Sequence, residues 1–136
     1  MTMQNDLTDS FERIPVRIFP SPGAGARWVA EQVAAMIRSK AAAGAHCVLG
    51  LATGATPKGL YAELVRMHRE EGLSFRNVIA FNLDEYYPIE PEALQSYRRF
   101  MRTQLFDKTD IDPANCHIPN GEAPKASIKQ HCAGYE

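Results

Sequence analysis

The chain has 136 residues, 45% of them hydrophobic, which suits one packed domain. Its formal net charge is −1, with basic residues spread along the chain, so nothing electrostatic argues for nucleic acid or an anionic membrane as partner. No apolar run is long enough for a bilayer, and the polar start MTMQNDLTDS lacks a signal-peptide core, so a cytoplasmic protein is expected.

Residues 1–10 read as a flexible arm, and 11–136 as part of one α/β domain. RIPVRIF (13–19) is a strand candidate, closed by PSPGAG. A helix is predicted from Ala24 to Ala43, because Ala26, Val29, Ala30, Val33, Met36 and Ile37 recur at three- and four-residue spacing. Gly44 supplies its stop. HCVLGLA (46–52) is a nearly continuous apolar run, the pattern of a strand covered on both faces of a parallel sheet. A second helix is predicted from Pro57 to Glu71, with Thr56 as its cap, Leu60, Leu64 and Met67 as its buried stripe, and Gly72 at its end.

NVIAFNL (77–83) is the next strand, completing a βαβ unit with a right-handed crossover. YPIEPEA (87–93) reads as loop. LQSYRRFMRTQLF (94–106) is a third predicted helix, with Leu94, Tyr97, Met101 and Leu105 on one side. CHIP (116–119) is a strand fragment, and 125–136 turn helical. The chain stops inside that last helix, so a fragment of a longer domain is expected. Cys47, Cys116 and Cys132 are odd in number and unevenly spaced, which points to buried or half-buried free thiols, not to a disulfide framework or a zinc site.

Two stretches carry candidate chemistry. Thr53, Gly54, Ala55 and Thr56 lie between a buried strand and a helix N-terminus, where backbone N–H groups are unpaired and the helix dipole is positive. Small residues and two hydroxyls suit a phosphate there. Neither a Walker loop nor a dinucleotide fingerprint is present, and a plain tight turn is the competing reading. The second stretch is Asp84 with Glu85, just past the strand 77–83. In an open parallel sheet, the loop and Asp84 fall on the same carboxyl edge, where ligands bind. A partly desolvated Asp84 can act as a proton-transfer base; a turn cap is the alternative. Glu85 reads as a structural hydrogen-bonding neighbour. A metal role is disfavoured, because adjacent carboxylates in an extended chain point apart and His46, His68, His117 and His131 are scattered.

GLATGATPKGLY, MHREEGLSFRNVIAFNLDEYY, SYRRFM and DIDPANCHIPNG occur in an order and spacing that resemble the N-terminal half of glucosamine-6-phosphate deaminases, also called isomerases. The stretch LDEYYPIEPEALQSY also resembles the longer members with an added deacetylase-like domain. The resemblance implies a three-layer, doubly wound Rossmann-like sandwich. It implies conversion of glucosamine 6-phosphate and water into fructose 6-phosphate and ammonia, without a metal or redox cofactor, and a homo-oligomer as the intact form. It places the base that moves a proton between C2 and C1 on Asp84, and the phosphate loop on Thr53, Gly54, Ala55, Thr56 and Pro57. Ala55 stands where the family has a second glycine. The ring-opening aspartate, histidine and glutamate, and a basic phosphate ligand, would lie beyond Glu136, so this piece alone is expected to be inactive. A 6-phosphogluconolactonase shares the implied fold but has an acidic-arginine motif in place of DEYY. A non-catalytic sugar-phosphate sensor is the rival of another class.

Overall fold

The computed structural model describes residues 14–136; the arm expected at 1–10 lies outside them. In chain order the elements are α1 (Pro22–Ala42), β1 (Cys47–Leu51), α2 (Lys58–Glu71), β2 (Val78–Asn82), α3 (Tyr97–Gln104), β3 (Cys116–His117) and α4 (Ile128–Tyr135). The sheet is parallel, in the order β1-β2-β3. Its main pair runs in register from Cys47 opposite Val78 to Leu51 opposite Asn82, and α2 is the crossover that parallel neighbours require.

One face of this pair carries Cys47, Leu49, Val78 and Ala80, all buried against α1 and α2. Tyr61, Leu64, Phe75 and Ile37 are 1% exposed and fill that layer; each such side chain contributes about 1.5–3 kcal/mol of burial. The helices meet closely because Gly59 has no side chain: a Cβ there would stand 3.4 Å from that of Ala26. On the opposite face α4 packs near the strand ends, where the Tyr135 ring meets Phe81 edge-on at 6.4 Å and its hydroxyl donates to the carbonyls of Asn82 and His117. The result is an α/β, Rossmann-like parallel sheet with α1 and α2 layered on one face and the end of α4 on the strand ends of the other.

Several sequence expectations need correction. Residues 14–19 form no strand, and Ile14 and Ile18 are 75% and 70% exposed, because no neighbouring strand edge pairs with them among the described residues. The buried face of α1 is Ala30, Ala34 and Ile37, while Val29 and Met36 are 37% and 48% exposed, so the stripe is narrower than the apolar pattern implied. The strands are not covered on both faces: β1 alternates buried and exposed, and Val48 is 60% exposed. Leu94 precedes α3 and is exposed, because the helix begins only after the Ser96 cap. Cys132 is exposed rather than buried, though all three thiols are free. Among the described residues no helix is long and apolar enough to cross a membrane.

Candidate functional site

Both candidate stretches leave the sheet at the same height. Leu51 pairs with Asn82 at the end of the register; Thr53 and Asp84 each follow two residues later. Asn82 locks these ends together. It is 2% exposed, and its Nδ2 donates to the Leu51 carbonyl at 2.8 Å. Its Oδ1 is buried with no partner among the described residues.

The loop turns on Gly54, whose φ of +100° is a conformation that side-chain-bearing residues rarely adopt. Ala55 is not in that region, since no non-glycine residue among those described has a positive φ. The alanine in place of the family's second glycine therefore causes no strain. Thr56 does not cap α2. The cap position is Pro57, with helical φ −80° and ψ −5° and no side-chain cap bond, so the extended geometry that aims a hydroxyl at the helix end is missing. No described group accepts from the N–H of Gly54, Ala55 or Thr56. That keeps these donors, and the Thr56 hydroxyl, available to an anion.

The loop is anchored from behind by Tyr61, a residue the sequence pattern does not single out. Its buried hydroxyl donates to the Ala52 carbonyl. Burial pushes this phenol from 10.0 up to about 12, against the smaller opposing effect of the hydrogen bond to Ala52. A folded-state value above the unfolded one gives stability that is fully present below pH 10 and is lost as pH rises toward 12. Tyr61→Phe should therefore lose about 0.5–1.5 kcal/mol at neutral pH. It should also lack the part of the alkaline stability loss that Tyr61 supplies between pH 10 and 12. Urea midpoints measured across that range for both proteins check this; parallel curves would refute it.

Asp84 is exposed, so the described residues do not supply the desolvation expected of a base. The chain that follows it is nonetheless held at several points. Glu85 bonds to the first turn of α3 through the N–H groups of Tyr97 and Arg98, both at 2.9 Å. The Tyr87 hydroxyl donates to the Ala123 carbonyl at 2.9 Å, and the Ile89 N–H to the Gly121 carbonyl at 2.9 Å. Gly121 is present because nothing larger fits: a Cβ would lie 2.7 Å from the Ile89 oxygen and 2.9 Å from that of Tyr86.

Tyr97 connects the two stretches. Its ring lies 4.7 Å from that of Tyr86. The neighbouring Tyr86 hydroxyl, then burial, hold its phenol above the ordinary value of 10.0; Thr53 acts in the opposite sense, and the Asp84 charge adds to the rise. Tyr97 thus feels both the loop and the candidate base. Apolar periodicity assigns it only to a buried stripe. An open cavity of about 380 Å³ lies at the same edge, lined by Gly50, Ala52, Asn82 and Tyr135 among others, but not by Asp84 or residues 53–56. Among the described residues no cluster of three or more His, Cys, Asp or Glu is placed to hold a metal ion.

A parallel sheet with its loop and acid on adjacent strand ends defines the open α/β class whose ligand crevice lies at the carboxyl edge. Within it, the chain belongs to the family of glucosamine-6-phosphate isomerases/6-phosphogluconolactonase, which residues 20–136 match. A glucosamine-6-phosphate deaminase of Hahella chejuensis is 52% identical over 125 residues, covering 88% of this chain and 46% of that protein. Glucosamine-6-phosphate deaminase 2 of Giardia intestinalis is 50% identical over 108 residues, covering 79% of this chain and 39% of that protein. A solved monomeric glucosamine-6-phosphate deaminase superposes with a TM-score of 0.79 at 36% identity, covering 85% of this chain and 46% of its own. A 6-phosphogluconolactonase from Thermotoga maritima, at 23% identity and a TM-score of 0.65, shares the fold. The chain spans less than half the length of these relatives.

Proposed function

We propose that this chain carries the proton-transfer half of a glucosamine-6-phosphate deaminase site. The loop 53–56 receives the phosphate, and Asp84 moves the proton of the opened sugar from C2 to C1. That shift turns the amine-bearing carbon into an imine. Water then adds its oxygen there and ammonia leaves, giving fructose 6-phosphate. The observation that carries this reading is the pairing of Leu51 with Asn82, which sends the loop and Asp84 out side by side. The names of the relatives favour the deamination over lactone hydrolysis. The complete reaction is assigned to a polypeptide of family length, acting in the cytoplasm.

Two measurements test the proposal. Added glucosamine 6-phosphate should shift the amide resonances of Gly54, Ala55 and Thr56 in the 136-residue chain. A family-length chain carrying this segment should release ammonia from that substrate and leave 6-phosphogluconolactone intact. Lactone hydrolysis would overturn the reading in favour of the lactonase, and binding without ammonia release in favour of a sensor.

A further inference from the structure

The Glu85 carboxylate is half-buried and accepts four hydrogen bonds. Oε1 takes the N–H groups of Tyr86 and Tyr97, each at 2.9 Å. Oε2 takes the N–H of Arg98 at 2.9 Å and the hydroxyl of Ser96 at 3.1 Å. An ionised carboxylate offers about four lone-pair sites, so Glu85 has none left for a substrate proton. The first N–H groups of a helix have no intrahelical acceptor. In α3, Glu85 takes those of Tyr97 and Arg98, and the buried Ser96 hydroxyl takes that of Arg99 at 3.3 Å. An anion at this end is also favoured by the helix dipole.

We infer that Glu85 is a positioning residue for Asp84: it clamps the strand-end backbone that carries Asp84 onto the first turn of α3, and so fixes the Asp84 carboxylate relative to the 53–56 loop. The inference rests on Asp84 being the base. Two features distinguish this from ordinary capping. The contacts span 12 and 13 residues, joining separate parts of the chain, whereas α3 already has a local cap in Ser96. The clamp also holds the backbone of Tyr86 and Tyr97, whose rings meet at 4.7 Å and a tilt of 43°. One carboxylate therefore registers three residues of the site at once.

Glu85→Gln tests this, because the amide keeps the volume but turns an N–H toward groups that are themselves donors. In the shortest catalytically active form, residues 1–136 or a family-length chain carrying them, kcat should fall about 10- to 100-fold, the scale of a misplacement near 1 Å. KM for glucosamine 6-phosphate should stay within about threefold, since the phosphate loop is on another strand. In an Asp84→Asn background the same substitution should cost almost nothing more, because its effect passes through Asp84. Equal losses in both backgrounds would overturn the positioning role. An Asp84→Asn variant with full activity would instead sink the base assignment, which is a separate failure. If Glu85→Gln does not fold, Ser96→Ala, which removes one donor and leaves the carboxylate, runs the same cycle with a smaller loss expected. Amide exchange on the 136-residue chain gives an independent reading. The Tyr97 and Arg98 amides should be protected, and at least about tenfold less so in the variant; unprotected amides in the parent chain would overturn the clamp.

Discussion

Asp84→Asn is expected to lower ammonia release from glucosamine 6-phosphate by about 10²- to 10⁴-fold, the range for removing a general base. Asparagine keeps the size and one oxygen of the side chain but accepts no proton at working pH. Among the described residues the Asp84 side chain makes no hydrogen bond or ion pair, and it is exposed, so the variant should fold normally. Residues 53–56, the proposed phosphate loop, follow β1 and Asp84 follows β2, so affinity for the sugar phosphate should change by no more than about threefold. A loss in kcat at constant affinity identifies a group that acts in the transition state. Unchanged turnover would reject Asp84 as the base, and lost affinity would move it to the binding role.

Gly121→Ala is expected to be the most damaging single-atom addition outside the helical core. The new methyl would sit 2.5 Å from the Ile89 Cγ2, 2.7 Å from the Ile89 oxygen and 2.9 Å from the Tyr86 oxygen. The methyl carbon can rotate away, but the two carbonyls belong to the loop that follows Asp84 and cannot retreat without carrying it along. Overpacking of this kind costs about 1–3 kcal/mol, or a fall of roughly 5–10 °C in the midpoint of thermal unfolding. The same variant should also lose turnover at a temperature where it remains folded. A midpoint within a degree of the parent would show that the two loops separate easily.

The central βαβ unit was legible because its strands are short apolar runs and its helix repeats every three to four residues. The loop between Leu51 and Lys58 and the acid after Asn82 followed from that unit, since strand ends in a parallel sheet share an edge. The partners that hold the acid were not legible. Glu85 reaches Tyr97 and Arg98 across 12 and 13 residues, and periodicity reports nothing at that range. Tyr97 reads as apolar stripe because its ring fits the spacing, and Tyr61 falls outside the stripe of Leu60, Leu64 and Met67; periodicity reports the work of neither hydroxyl. Ser96 carried a usable signal, a serine just before a helix, yet the apolar Leu94 drew the predicted start too early. The apolar runs themselves overstated burial: Val48 and Phe81 face away from α1 and α2, and the described residues cover them only in part.

The in-register ending of β1 and β2 acts as a ruler. Adjacent strands lie about 4.8 Å apart, and the loop and Asp84 rise from them by the same two residues. A ligand fixed by its phosphate over residues 53–56 meets the carboxylate only if its reacting carbon lies one such step, plus the reach of an aspartate side chain, from the phosphorus. Sugar phosphates shorter by one carbon should bind the loop and yet present no exchangeable proton to Asp84. Chain length, rather than the pattern of hydroxyl groups, would then be the first property by which this edge sorts its ligands.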